Sequence, residues 1–341
     1  MIIRARAPLR LGLAGGGSDL SPFCDEFGGF VLNATINLFV YATLEPTHDG
    51  KIRFVAADRE ESFECSVEDE IGPNDVLPLH RAVYKRIVSE WNGGRPISAR
   101  LTTYSDVAAG SGLGSSSTLV VAMLEAFKEM LNLPLGEYEV ARLAYQIERH
   151  DAGMPGGRQD QYAATFGGFN FMEFYACERA IINPLRIKPA VVNELEASIV
   201  LYNTEMPRGD GSIIDEQARN LASRNLISLD ATHSLKREAV DMKESVLTGN
   251  MTRFAEVLGH GWEDKKRTAS MVTNAELDAI FESALAAGAV AGKVSGAGGG
   301  GYMIFMVDPL RRLQLCRALR KHGGQLISMQ FTEGGSRAWR R

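Results

Sequence analysis

Ala108-Ala-Gly-Ser-Gly-Leu-Gly-Ser-Ser-Ser-Thr118 is the stretch whose reading decides the fold. Ahead of it, Ile97 to Tyr104 mixes β-branched and apolar residues and reads as a strand. Behind it, Leu119, Met123, Ala126, Phe127 and Met130 recur at helical spacing up to Leu131. The local order is strand, glycine loop, helix. Gly110, Gly112 and Gly114 permit positive φ and clear side chains from one side of the loop. Backbone N–H groups can then face a common hollow. Ser115, Ser116 and Ser117 add hydroxyls at a helix start, where unpaired N–H groups and the dipole already favour an anion. The loop reads as a phosphate cradle. Its tight apolar flanks argue against a flexible Gly/Ser linker.

Two common cradles do not fit. A Walker A loop ends in Gly-Lys-Ser/Thr, and no lysine occurs between Ala108 and Thr118. A dinucleotide fingerprint needs glycine where Ser117 stands, and it opens a βαβ unit early in a chain.

The 341 residues exceed what one domain usually carries, so two domains are expected, with a boundary near Pro184–Pro189 that separates 1–190 from 191–341. Hydrophobic residues make up 45% and charged residues 23%, as in ordinary globular proteins. The net charge of -5 speaks against nucleic acid as the main partner. No apolar run approaches a membrane span, and Met1 to Arg10 lacks a signal-peptide core, so a cytoplasmic protein without a membrane partner is expected. Cys24, Cys65, Cys177 and Cys316 form no CxxC pair and read as reduced thiols outside any metal cluster.

Outward from the central loop, two more glycine loops appear. Ile2 to Ala14 reads as a strand that enters Gly15-Gly16-Gly17-Ser18-Asp19-Leu20. Asp19 is either a carboxylate for the hydroxyls of a polyol or the N-cap of a helix through Pro22 and Phe27. Arg10 lies on the same strand. Near the other end, Lys293-Val-Ser-Gly-Ala-Gly-Gly-Gly-Gly-Tyr302 precedes an apolar strand, Met303 to Val307. Between these, Tyr138 to His150 reads as a helix with Glu148 near its end, a metal ligand or a surface charge. The glycines and proline of Asp151 to Gly157 place Asp160 and Gln161 on an irregular turn, unless Asp160 caps a helix. Strands are expected at Ile36–Leu44, Lys51–Ala56, Ser62–Val67, Gly167–Phe174, Ala180–Ile187 and Gln325–Phe331. Helices are expected at Leu79–Trp91, Ile213–Ser223, Ala231–Leu247, Thr252–Lys265, Ala275–Ala286 and Leu310–His322. The class is α+β.

Ala7 to Asp19, Gly110 to Thr118 and Ser295 to Tyr302, in this order, resemble the three signature motifs of the GHMP kinase superfamily. The resemblance spans nearly the whole chain, and its middle motif is highly specific. It implies an N-terminal domain like ribosomal protein S5 domain 2, with a left-handed type of βαβ unit. It also implies a ferredoxin-like C-terminal domain, with the active site between the two. ATP and Mg²⁺ would be the cofactors. By motif, Gly110, Ser111, Gly112, Leu113, Gly114, Ser115, Ser116 and Ser117 would wrap the ATP phosphates. Ser116 and Glu148 would hold Mg²⁺, Asp160 would be the catalytic base, and Arg10 would lower the hydroxyl's pKa or neutralise transition-state charge. Gly16, Gly17, Ser18, Asp19, Gln161, Gly298 and Gly299 would lie at the substrate.

The first motif, Gly-Gly-Gly-Ser-Asp-Leu, resembles the branch of sugar 1-kinases that act on a manno-heptose 7-phosphate or on fucose. Galactokinases differ there, with Gly-Glu-His-x-Asp. Asn203 to Gln217 is similar to a branch segment that commonly reads Thr-Gly-x-x-Arg, with Glu205 in place of the glycine, which puts the local turn at issue. A phosphorylated heptose implies cations for its remote phosphate, and Arg208, Arg158 and Lys188 are the candidates. The expected activity is ATP-dependent phosphorylation of the anomeric hydroxyl of that sugar phosphate, on the way to a nucleotide-activated heptose for surface polysaccharide. A kinase of an unphosphorylated sugar and a silent sugar- and ATP-binding regulator on the same fold are the alternatives. A homodimer is compatible with either.

Overall fold

The computed structural model describes every residue except 70, 73–75 and 207–210. The candidate Arg208 therefore lies outside the described residues.

The first sheet begins with β1 (Ile3–Ala14), β2 (Gly29–Pro46), β3 (Lys51–Ala56) and β4 (Glu61–Ser66), then takes β5 (Ala99–Ser105), β6 (Phe169–Phe174) and β7 (Ala180–Pro184). β2 is long enough to serve two neighbours on one side: Gly29–Ala34 pairs with β6, and Val40–Pro46 pairs with β5. β1 covers its other side. The expected strand Ile36–Leu44 is thus only the second half of β2. β3 and β5 run parallel, joined through β4 and a crossover helix.

The second sheet holds β8 (Ile199–Asn203), β9 (Ala289–Val294), β10 (Tyr302–Val307) and β11 (Gln325–Ile327) in the order β11-β8-β10-β9, all neighbours antiparallel. Numbered within this sheet, that is 4-1-3-2, the ferredoxin-like arrangement. A last strand, β12 (Arg337–Arg340), leaves this sheet and pairs with β1 of the first. A single boundary after residue 190 therefore assigns β12 to the half whose sheet it does not join.

Among the described residues, eleven α-helices flank the sheets. In the first half they are α1 (Phe23–Phe27), α2 (Pro78–Arg86), α3 (Ser115–Leu131), α4 (Glu137–Gln146) and α5 (Gln159–Phe166). The second half contributes α6 (Pro189–Ser198), α7 (Ser212–Ala222), α8 (Leu226–Thr248), α9 (Met251–Lys266), α10 (Ala275–Ala286) and α11 (Arg312–Leu319). α6 occupies the stretch expected to be a polar boundary; Pro189 fits there because the first helical turn needs no N–H. Asn225, Asn250 and Asn274 accept backbone N–H groups at the starts of α8, α9 and α10, which sets where each begins. α2 and α4 both run on into single π-helical turns, Ile87–Trp91 and Ile147–Asp151.

α3 is buried nearly all round because it packs on β1 and β2 and also touches α4 and α5. The main core continues from β1, β2 and α3 into Ala239, Met242 and Val246 of α8 and Phe254, Val257 and Leu258 of α9. The halves therefore share apolar packing, and the loops that end β1 and precede α3 and β10 meet where they join. Glu205, in place of the branch's glycine, takes positive φ (56°), so the turn keeps the glycine-like backbone with a non-glycine residue.

Candidate active site

The three glycine loops converge and are hydrogen-bonded to one another. The Arg10 N–H donates to the Leu113 carbonyl (3.1 Å), and Tyr302 N–H donates to the Ser111 carbonyl (3.2 Å). The Gly112 carbonyl accepts from Arg10 Nη1 (2.6 Å) and from Ser295 Oγ (3.0 Å). Gly110, Gly112 and Gly114 all take positive φ, between 74° and 84°. Together the loops wall a cleft of about 500 Å³.

At its centre, Arg10 and Asp160 form an ion pair, with Arg10 Nε and Nη2 each 2.7 Å from Asp160 Oδ1. Burial pushes the Asp160 carboxyl above its ordinary value; Arg10 opposes this, and the charge of Asp19 adds to it. A Cβ built on Gly114 would stand 3.2 Å from the Asp160 carboxyl carbon, so the carboxyl lies directly against the central loop.

Asp160 and Gln161 are not on an irregular turn. They lie in the first turn of α5, which starts at Gln159 with Arg158 as its N-cap. Asp19 is the cause. Its Oδ2 accepts the N–H groups of Arg158 (2.9 Å) and Gln159 (3.1 Å), so a carboxylate from the first loop caps α5 across the fold. Its Oδ1 accepts from the Gly17 N–H (3.0 Å) and Gln159 Nε2 (3.2 Å). Asp19 is wholly buried, and these four donors occupy it. It does not cap α1, whose N-cap is Pro22, and it lines the cleft with these four donors in place.

Glu148 sits in the π-helical turn after α4, fully buried. Its Oε1 accepts from Ser116 Oγ (2.7 Å), and its Oε2 accepts from Ser117 Oγ (2.6 Å) and Gln161 Nε2 (2.6 Å). Arg149 Nη1 is 3.1 Å from Oε1. Ser116 is exposed at the cleft, while Ser117 is buried behind it. An exposed hydroxyl in contact with a buried carboxylate is a hard-oxygen pair that fits a phosphate-bound Mg²⁺. Among the described residues no group of three or more His, Cys, Asp or Glu side chains is placed to hold a metal by itself.

Several expected contacts fall elsewhere. Ser18 is buried, and its hydroxyl bonds the carbonyls of Gly15 and Phe30, which shapes the first loop from within. Gln161 lies behind Glu148 and does not line the cleft. Arg158 turns away from the cleft to the Tyr175 carbonyl, Ser21 and Asp25, since the capping of α5 by Asp19 fixes its backbone with the side chain outward. Lys188 is exposed at the N-cap of α6 and does not line the cleft. Gly16, Gly17 and Gly298 line it; Gly299 instead packs beneath, its N–H on the Val272 carbonyl (2.8 Å). In the central loop, Leu113 is a buried anchor and Ser111 is likewise buried.

Other side chains line the cleft without having been singled out. Lys265 of α9 donates to the Gly16 carbonyl (3.1 Å), and Lys293 of β9 lies next to it. Burial and the neighbouring Lys265 hold the Lys293 ammonium down to about 7. Glu238 of α8 is pushed up to about 7 by burial and by Asp264. Gln159 lines the cleft as well. Lys293 stood visible at the head of the third glycine stretch; Glu238 and Lys265 look like ordinary helix-surface charges. A smaller, mainly apolar pocket of about 130 Å³ adjoins the central loop, lined by Leu77, Pro78, Leu79, Val107, Leu119 and Met154.

The family model of the GHMP kinases N terminal domain matches residues 78–168, and that of the GHMP kinases C terminal matches residues 242–325. The chain is 48% identical to D-glycero-alpha-D-manno-heptose 7-phosphate kinase of Campylobacter jejuni, over 99% of both chains. The chain belongs to the GHMP kinase superfamily. It is a phosphotransferase with an alcohol group as acceptor. Among solved structures, it resembles a D-glycero-D-manno-heptose 1-phosphate kinase from Bacteroides thetaiotaomicron, with 44% identity, TM-score 0.85 and 99% of both chains covered. Lactococcus lactis galactokinase with galactose shares the fold at TM-score 0.75, 20% identity and coverage of 98% and 94%. The fold expected from the sequence is thus the fold found. No helix of the described residues is long and apolar enough to cross a membrane.

Proposed function

We propose that this GHMP kinase transfers the γ-phosphoryl group of ATP to the anomeric hydroxyl of a manno-heptose already phosphorylated at C7. The product would be the 1,7-bisphosphate, a precursor of nucleotide-activated heptose. The observation that carries this reading is the placement of the Arg10–Asp160 pair against Gly114 of the central loop. A group able to take or orient a hydroxyl proton then stands beside the loop that would hold the γ-phosphate. The names of the two heptose kinases support the sugar class.

ATP phosphates fit along Gly110 to Ser116, where backbone N–H groups and the start of α3 favour an anion. The apolar pocket beside Ala109, Ser115 and Ser116 suits a flat purine. Ser116 and Glu148 would hold Mg²⁺, which when bound neutralises charge on the transferred phosphoryl group. Asp160 accepts the sugar hydroxyl's proton or aligns the oxygen in line with the phosphorus. Arg10 keeps that carboxyl in place and offers positive charge as the bond to the leaving ADP lengthens. The oxygen–phosphorus bond to the sugar forms, the bond to ADP breaks, and the sugar proton leaves. Among the described residues that line the cleft, Arg10 and Arg149 are paired with Asp160 and Glu148, and Lys265 and Lys293 are the cations that suit the remote phosphate.

The test is a coupled ADP-release assay with D-glycero-D-manno-heptose 7-phosphate, its 1-phosphate, free heptose, fucose and galactose. The highest kcat/KM is expected on the 7-phosphate, and ³¹P spectra of that product should show a new anomeric phosphate. A higher kcat/KM on the 1-phosphate would reassign the acceptor position, and a preference for an unphosphorylated sugar would remove the remote phosphate from the reading.

A further inference from the structure

The geometry points to a grip on the sugar's hydroxyls formed by Gln159 Oε1 and Glu238 Oε2, one from each half of the molecule. This inference rests on the sugar-kinase reading and adds to it the residues that recognise the ring.

Buried acceptors nearly always receive a hydrogen bond. Among the described residues, two buried side-chain polar atoms without a partner belong to residues that line the cleft: Gln159 Oε1 and Glu238 Oε2. Gln159 Oε1 only accepts, and a phosphate oxygen, an acceptor too, cannot satisfy it. A hydroxyl both donates and accepts, so it satisfies that amide oxygen and also the Glu238 carboxyl in either protonation state. The two oxygens therefore match the polyol part of a sugar and not its phosphate.

The orientation of the Gln159 amide follows from its partners. Nε2 donates to Asp19 Oδ1, and a buried carboxylate can only accept, so Oε1 is the atom left over. Asp19 is thus a positioning residue: it caps α5 and fixes which end of Gln159 is open. The neighbouring glycines leave room. A Cβ on Gly12 would lie 3.8 Å from Gln159 Oε1, and one on Gly261 would press to 2.9 Å from Glu238 Oε2. Gly261 lies inside α9, where glycine weakens a helix, and the crowding of Glu238 supplies a reason for it.

The probes are D-glycero-D-manno-heptose 7-phosphate and its mono-deoxy analogues, titrated calorimetrically into wild type, Gln159→Met, Glu238→Leu and Glu238→Gln. Loss of a hydroxyl that a built acceptor holds should weaken binding to wild type about tenfold or more. In the variant lacking the matching acceptor, that analogue and the parent sugar should bind alike. Glu238→Gln, which keeps an acceptor oxygen, should restore most of the affinity lost in Glu238→Leu, and nucleotide affinity should not move. Gly261→Ala gives an arm independent of these: the helix should be as stable or more so, while sugar affinity falls. The inference is overturned if every deoxy penalty is the same in the variants as in wild type, or if Gly261→Ala binds sugar normally. Turnover by wild type in the ADP-release assay tests the kinase reading separately, so a wild type that turns over with unchanged deoxy penalties in the variants overturns the grip alone.

Discussion

Single residues in this cleft do different work from what their type suggests. Asp19 and Asp160 are both aspartates on glycine-flanked segments, yet one is saturated by four donors and the other faces the cleft against one arginine. Asp160→Asn should keep folding and ATP binding while kcat under saturating substrates falls by roughly 10²–10⁴, the range of a general base. A near wild-type kcat would assign the proton to another group. Glu238 allows a test by pH. Its folded value of about 7 exceeds the ordinary 4.5, so it favours folding below the lower value and loses that contribution as pH rises through the higher one. Glu238→Gln should therefore melt close to wild type near pH 5 and above it near pH 8. Equal melting temperatures at both pH values would show that Glu238 is not held protonated by its surroundings.

At the scale of elements, the start of α3 and the π-helical turn after α4 form one unit. The turn places Glu148 under Ser116 and Ser117. Glu148→Gln should raise the Mg²⁺ concentration needed for half-maximal rate, and an unchanged Mg²⁺ titration would remove it from the metal site. Within the central loop the glycines are not equivalent. Gly112 has positive φ, and its carbonyl ties Arg10 to Ser295, so a side chain there disturbs the joint between loops as well as the hollow. Gly110 is the cleaner probe, because a Cβ there meets no atom within 4 Å. Gly110→Ala should lower stability by about 1 kcal/mol through its positive φ. Calorimetry should show ATP affinity reduced about tenfold, as expected for a blocked backbone contact.

For the whole molecule, the two halves hold together through shared core and through the C-terminal strand. β12 pairs with Ile3–Arg6 of β1, and Arg340 also donates to the Glu129 carbonyl on α3. Deleting residues 337–341 leaves every candidate site residue in place. It should nevertheless lower stability by on the order of 2–4 kcal/mol, from the lost ladder bonds, with denaturant midpoints as the measure. An unchanged midpoint would show the strand to be dispensable.

The sequence by itself determined the strand–loop–helix around Gly110 to Thr118, the order of the three glycine motifs and the superfamily. These are local signals: positive-φ glycines, a helix start, and apolar periodicity set within a dozen residues. The pairing of Ser116 with Glu148 and of Arg10 with Asp160 came within reach only through motif resemblance. What tertiary structure alone decided is which side chains those loops leave facing the cleft. Asp19 does line the cleft, but no local pattern reveals that it also caps a helix 139 residues away. Arg158 and Lys188 looked like phosphate cations because charge is legible in a sequence and direction is not. Glu238 and Lys265 were hidden for the opposite reason. On a helix a buried charge and a solvated one have the same spacing, and only the packing of α8 and α9 against β1 turns them into the cleft.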